Sequence, residues 1–145
     1  MKNLLVATVS TLLASSLAAQ TNVCSTAIGG IGCGPHLGVT FTPVGLAGNN
    51  TITVDVSGLD PAGIGLMAWG LTPINVPIWG GCNAYTDYIW GHVVNPDAAG
   101  EWSWSRSWPN SVQNSYRIQV AGLGLDTTGN LAITLTDCVV ATCTQ

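Results

Sequence analysis

The feature that most constrains this chain is the alternation of apolar and polar residues in short runs separated by turn residues. Alternation with a period of two is typical of half-buried β-strands, because successive side chains of a strand point to opposite faces. The clearest run is TITVDV at residues 51–56, which places Ile52, Val54 and Val56 on one face. No stretch sustains apolar residues at helical spacing. The sequence therefore predicts an all-β protein.

Seven runs read as strands, at residues 38–44, 51–56, 64–70, 85–94, 101–108, 116–121 and 131–136. Three D-x-x-G turns separate neighbouring runs, at residues 60–63, 97–100 and 126–129. Aspartate caps such a type I turn and glycine lets the chain leave it with positive φ, so we expect each turn to close an antiparallel hairpin. The predicted fold is an antiparallel β-sandwich of about seven strands, immunoglobulin-like with Greek-key crossings or jelly-roll-like. A small barrel is the alternative.

The first residues indicate export. MKNLLVATVSTLLASSLAAQ has Lys2 ahead of an apolar run and small residues at Ala18 and Ala19, which is the layout of a secretory signal peptide. The run is shorter than the roughly 20 residues that cross a bilayer, so we expect no membrane span after cleavage. We divide the chain into a signal peptide (1–19), a Gly/Cys-rich lead-in (20–37) and a single sandwich domain (38–145). The expected location is extracellular or at the cell surface.

Charged side chains are scarce in this sequence. They make up 7% of the residues and the net charge is -4, whereas an ordinary soluble domain is about 25% charged. Nucleic-acid binding needs clusters of Lys and Arg, and the whole chain has only 3. This composition excludes nucleic acid and anionic lipid as partners. A surface of neutral hydrogen-bonding residues suits packing against polysaccharide, against another extracellular or surface protein, or against copies of itself.

The five cysteines are expected to form disulfides rather than to bind metal, because the chain is exported. Close spacing in the sequence favours the pairs Cys24–Cys33 and Cys138–Cys143. That choice leaves Cys82 unpaired. A long-range bridge between Cys33 and Cys82 is the main competitor.

Catalytic and cofactor-binding constellations are not apparent in the sequence. Glycoside hydrolysis needs two carboxyl groups about 5 to 10 Å apart. Outside the three turns the acidic residues are Asp55, Asp87, Glu101 and Asp137, and their spacing pairs none of them. His36 and His92 have no nucleophile elbow and no metal-ligand spacing near them. We therefore expect no enzyme activity, no cofactor and no metal site.

The aromatic residues are the candidates for a binding surface. In EWSWSRSWP, Trp102, Trp104, Arg106 and Trp108 share one strand face, and serines occupy most of the other. We expect Trp102 and Trp104 to pack inside, because the serine face must be the solvated one. Arg106 is costly to bury alone, so it and Trp108 are expected at an edge. The candidate ligand-binding residues at that edge are Trp108, Arg106, Trp79, Trp90 and Tyr85.

Together these features predict a secreted, non-enzymatic β-sandwich module with a structural, surface or accessory binding role. The first alternative is a carbohydrate-binding module that uses the Trp-rich edge, since flat indole faces suit sugar rings. A glycoside hydrolase is the second alternative.

Several short motifs together resemble a known type of domain. They are the opening GIGCGPHLG at 30–38, a later GC at residues 81–82, a D-x-x-G turn before a strand that ends in WPN, and YRIQV with Gln119. The pattern resembles small secreted all-β domains of environmental bacteria, which often lie near the C-terminus of larger proteins. The resemblance implies a β-sandwich and an extracellular location, and it carries no activity and no site residue. The cysteines at 138 and 143 depart from the pattern.

Overall fold

The computed structural model describes residues 23–44, 49–109 and 114–144, and the strands in these ranges are antiparallel. The strands are β1 (Val23–Gly30), β2 (His36–Val44), β3 (Asn49–Ser57), β4 (Ile64–Gly70), β5 (Pro73–Pro77), β6 (Asn83–Thr86), β7 (Trp90–Val94), β8 (Trp102–Trp108), β9 (Ser115–Leu125), β10 (Leu131–Leu135) and β11 (Cys138–Thr144). A short 3-10 turn, Trp79–Gly81, lies between β5 and β6.

The strands form three sheets. The largest has six strands in the order β1-β11-β9-β4-β7, with β10 also paired to β9. The second has the order β2-β3-β8, and the third is the β5-β6 hairpin. The predicted all-β, antiparallel fold is confirmed, but the described residues contain eleven strands instead of seven. The additional strands arise because β1, β5 and β11 were not recognised and because the run at 85–94 divides into β6 and β7.

The core lies between the six-stranded and three-stranded sheets. Alternate residues of β3 and β8 face alternate residues of β4 and β9, so the period-two pattern becomes two apolar inner faces. Both sheets contribute to one continuous buried cluster, whose central members include Ile52, Val54, Met67, Ile118 and Val120. The apolar residues of TITVDV, Ile52, Val54 and Val56, thus face the interior of the sandwich, as predicted.

Two of the three D-x-x-G turns join different sheets. In each turn the fourth-residue N–H donates to the first carbonyl at 2.9 to 3.0 Å, and the third residue is not at positive φ, which agrees with type I. Gly100 and Gly129 leave their turns with positive φ as predicted, but Gly63 does not. Only the turn at 126–129 closes a hairpin, between β9 and β10. The other two carry the chain from β3 to β4 and from β7 to β8, across the sandwich. The hairpin prediction was wrong there because turn chemistry fixes a local chain reversal, whereas the choice of strand partner depends on the core.

Aspartate carboxylates hold several backbone segments of the fold. Asp60 accepts hydrogen bonds from the Ala62 and Leu125 N–H groups at 2.9 and 2.8 Å, which ties the β3–β4 turn to the end of β9. Hydrogen bonds to the charged form lower a carboxyl pKa. The pKa values of three carboxyls are lowered, chiefly by the Leu125 N–H for Asp60, the Thr72 N–H for Asp87 and the Thr128 hydroxyl for Asp126.

Acid is therefore expected to destabilise the fold below about pH 4. A carboxyl whose pKa is lower in the folded than in the unfolded chain stabilises the fold above its unfolded pKa, and this contribution is lost as pH falls through the folded pKa. The urea midpoint should be flat from pH 7 to about 5 and should then fall. Asp126→Asn should show a shallower fall than the parent chain. Equal acid dependence of the two proteins would contradict this assignment.

Residues 23–30, which the sequence analysis placed in the lead-in, form the edge strand β1. β1 pairs antiparallel with β11, and the register sets Cys24 opposite Cys143. Most β1 side chains are exposed. This strand buries little apolar area. Its backbone hydrogen bonds to β11 and the Cys24–Cys143 disulfide therefore hold it in place.

The disulfides are Cys24–Cys143 and Cys33–Cys82, and Cys138 is a buried free thiol. The short-range pairing expected from the sequence was wrong, because strand pairing brings Cys24 and Cys143 together across 119 residues. The competing Cys33–Cys82 bridge is the one that forms. Two disulfides indicate an oxidising, extracellular environment.

Within the described ranges, no helix has the length and apolar character required to span a membrane.

Candidate functional site

An open cleft of about 670 Å³ lies at one end of the sandwich, where β4 and β8 end and β7 and β9 begin. We call it the aromatic cleft. Its described lining comprises Ile52, Trp69, Gly70, Leu71, Ile89, Trp90, Trp104, Arg106, Ser107, Trp108, Pro109 and Tyr116. The cleft draws its walls from both sheets, so it exists only when the sandwich is assembled.

Strand register places the indoles in this cleft. β8 pairs with β3 along its whole length, with Trp104 opposite Val54 and Trp108 opposite Asn50. This register turns the Trp face of β8 towards the six-stranded sheet. In that sheet Trp69 of β4 lies opposite Trp90 of β7. The two sheets therefore meet through aromatic side chains at this end of the sandwich.

Trp69 is the centre of the aromatic cluster. Its ring centroid lies 5.6 Å from Trp90, 5.7 Å from Trp104, 6.2 Å from Trp108 and 6.3 Å from Tyr116. The Trp69–Trp108 pair is stacked and the other three are tilted or edge-to-face. Offset-stacked and edge-to-face arrangements at such separations are favourable for aromatic pairs. The rings brace one another, so the walls of the cleft are preorganised.

Exposure divides the cluster into a base and a rim. Trp69 is 4% exposed and Trp108 9%, whereas Trp90 is 41% exposed. Trp104 and Tyr116 are half-buried. The open indole surface available to a ligand is thus that of Trp90 and Trp104.

The structure corrects the expected position of Trp108. Trp108 was expected at an exposed edge, but its indole packs against Phe41 and Tyr116 with centroid separations of 6.0 and 5.2 Å. Arg106 is exposed as predicted. The strand does not run out of the sandwich at residue 106. Instead, Arg106 is exposed to solvent at this point of the inner face, and Trp108, two residues later, is buried again.

Two indole N–H donors in the cleft wall have no oxygen acceptor. The Nε1 atoms of Trp69 and Trp108 are buried and find no hydrogen-bond partner among the described residues. A buried donor without a partner costs about 1 to 3 kcal/mol. Neighbouring ring faces are weak acceptors at best.

His92 lies beside the aromatic cleft, between two indoles. Its ring centroid is 4.3 Å from Trp90 and 5.3 Å from Trp104. His92 is half-buried on the inner face of β7. Its imidazole packs as part of the wall behind the two exposed indoles.

The candidate ligand-binding residues separate into two groups. Trp90, Arg106 and Trp108 line the same cleft, whereas Tyr85 does not. The side chain of Trp79 lies outside the described part of the structure. Sequence reasoning missed Trp69 and Tyr116 as cleft residues, because the distance of β4 and β9 from the Trp strand in the sequence hides their proximity in the fold.

Tyr85 is held on the outer face of the six-stranded sheet. Its N–H donates to Gln119 Oε1 at 2.9 Å, and its carbonyl accepts from Arg117 Nε at 2.9 Å. Gln119 is 2% exposed, and its Nε2 donates to the Asn83 and Thr136 carbonyls. These bonds attach the β5–β6 hairpin to the sheet. A buried glutamine within the apolar run YRIQVA was the available signal for this layer.

A second groove of about 770 Å³ lies at the opposite end of the three-stranded sheet. We call it the acidic groove. Its ionisable lining residues are His36, Asp55, Asp97 and Glu101, beside Trp102. Asp97 accepts the Ala99 and Glu101 N–H groups, and Asp55 accepts the Ser103 hydroxyl. No grouping of metal-ligating side chains occurs in the described part of the chain.

Comparison with known proteins gives no assignment: no family model, no curated protein and no solved structure matches this chain.

Proposed function

We propose that this protein is a secreted, non-enzymatic binding module and that its aromatic cleft holds a carbohydrate. The observation that carries the proposal is the cleft itself, in which the exposed faces of Trp90 and Trp104 stand over a braced aromatic base. Large flat aromatics bind rings with little loss of side-chain entropy. The cleft volume of about 670 Å³ falls in the usual range of ligand sites.

Secretion is supported by two independent features. The first residues have the layout of a signal peptide. The two disulfides join segments that are 119 and 49 residues apart, and such bridges persist in oxidising compartments.

The non-enzymatic part of the proposal is supported by the state of the carboxylates. A glycosidase needs one carboxyl with a raised pKa to act as general acid. Asp60, Asp87 and Asp126 have lowered pKa values because they bind backbone N–H or hydroxyl groups. In the acidic groove, the Asp97 carboxylate accepts hydrogen bonds from the Ala99 and Glu101 N–H groups.

Truncation of a cleft indole should strongly weaken carbohydrate binding. Trp104→Ala is expected to weaken binding to the best polysaccharide of a panel by at least about 30-fold, the effect of a residue worth roughly 2 kcal/mol. Affinity electrophoresis identifies the polysaccharide, and calorimetry with its oligosaccharide measures the dissociation constant.

Trp102→Ala is the matched control for this experiment. Trp102 lies on the same strand and the same face, and it is half-buried like Trp104, but it lines the acidic groove. We expect its affinity to equal that of the parent chain. Equal losses in both variants, or no binding by the parent chain to any polysaccharide, would refute the proposed site and favour a module that acts only by packing.

A further inference from the structure

We infer that the carbohydrate bound in the aromatic cleft is acidic, with uronic acid units, and that Arg106 binds the uronate carboxylate. This inference rests on the proposed function and specifies its ligand. It starts from the position of Arg106, which lies between Trp104 and Trp108 on the inward face of β8. Its partner in the register, Ile52, is completely buried, yet Arg106 itself is exposed.

Arg106 is the single charged side chain in the described lining of the aromatic cleft. The acidic groove at the other end of the sheet holds Asp55, Asp97 and Glu101. Charge is thus segregated along the sandwich, although the chain as a whole is acidic, with net charge -4. Asp87, behind Gly70 and Leu71, directs its carboxylate to the Leu71 and Thr72 N–H groups at 2.8 Å. The cleft therefore offers a cation and no competing lining carboxylate.

Arg117, the second arginine of the described residues, has a structural role. Arg117 donates to the carbonyls of Tyr85 and Gly29 at 2.9 Å and is half-buried beneath β1. Arg106 occupies the mouth of an open cleft instead. A guanidinium forms its strongest hydrogen bonds with planar oxyanions, which it can bind through two parallel N–H groups.

A uronic acid has a group for each of the two neighbouring side chains, the Trp104 indole and the Arg106 guanidinium. The pyranose ring offers an apolar face to an indole, and the carboxylate is attached directly to that ring. A ring stacked on Trp104 therefore carries its carboxylate towards Arg106, two residues further along the same strand face. Hydroxyl and carboxylate oxygens are also acceptors of the kind that the Trp69 and Trp108 N–H groups do not find among the described residues.

The test uses two oligosaccharides that differ only in the acid group: an oligogalacturonate and its carboxyl-reduced form. Alginate and glucuronate oligomers widen the panel of uronates. At low salt the parent chain should bind at least one uronate about tenfold or more tightly than its reduced form. Arg106→Gln should bring this ratio to within about twofold of one, chiefly by weakening the binding of the uronate. Arg106→Lys should retain part of the preference, and 1 M salt should suppress it in the parent chain.

The outcomes separate this inference from the proposed function. If Trp104→Ala abolishes binding while Arg106→Gln keeps the acid preference, the cleft binds carbohydrate but Arg106 does not read a carboxylate, and the inference fails. Binding of neutral polymers without binding of any uronate also overturns the inference alone. Tighter binding of a peptide with a free terminal carboxylate than of every uronate overturns the assignment to sugar. Far-UV circular dichroism of each variant verifies folding.

Discussion

Replacing Cys24 and Cys143 together by alanine is expected to lower the free energy of unfolding by about 5 kcal/mol in the chain-entropy model of disulfides. The bridge joins residues separated by 119 positions, so it restricts the unfolded chain more than any short bridge would. It also anchors β1, whose side chains are mostly exposed. We expect urea unfolding to show the loss in stability and hydrogen exchange to show loss of protection in residues 23–30.

Two further variants serve as comparisons. Removing Cys33 and Cys82 together should cost about 4 kcal/mol, because that bridge spans 49 positions. Cys138→Ala removes a buried thiol without opening a bridge and should cost only about 1 kcal/mol. An equal loss for Cys138→Ala and the Cys24/Cys143 variant would mean that Cys138 takes part in a disulfide.

Trp69→Ala is expected to lower the free energy of unfolding by about 4 kcal/mol, as for other buried tryptophans. Trp69 is 4% exposed and contacts the rings of Trp90, Trp104, Trp108 and Tyr116. Its removal leaves a cavity where the two sheets meet. Urea unfolding followed by far-UV circular dichroism measures the change without relying on indole fluorescence.

Trp90→Ala is the matched control for Trp69→Ala. The two residues face each other in the β4–β7 register, but Trp90 is 41% exposed. We expect its replacement to cost less than about 1.5 kcal/mol, since much of its area already contacts water. If Trp69→Ala cost no more than Trp90→Ala, Trp69 would not be the base of the cleft.

The strands and turns were accessible from the sequence because their causes are local. Alternation in residues 51–56 requires only that one face be buried, and the aspartate of a D-x-x-G turn caps its own backbone. The sheet that each strand joins is not determined by such local causes. The turns at 60–63 and 97–100 close with the same backbone hydrogen bond as the hairpin turn at 126–129, yet they carry the chain across the sandwich.

The disulfides and the aromatic cleft depend on contacts between distant residues. Cys24 reaches Cys143 because β1 pairs with β11, and nothing in the spacing of the cysteines carries that information. Trp90 and Arg106, which were chosen because they are close in the sequence, line the same cleft. Trp69 and Tyr116 complete the cleft from β4 and β9, and Tyr85 is drawn away from it by Gln119 and Arg117.

The most direct test of ligand binding in the aromatic cleft is an NMR titration of the indole N–H signals. The chain has 6 tryptophans, and single replacements assign each signal. We predict that a bound oligosaccharide shifts the signals of Trp90 and Trp104 and leaves that of Trp102, at the other end of β8, unchanged. If a saturating ligand shifted the Trp102 signal and left the Trp90 and Trp104 signals unchanged, binding in the aromatic cleft would be contradicted.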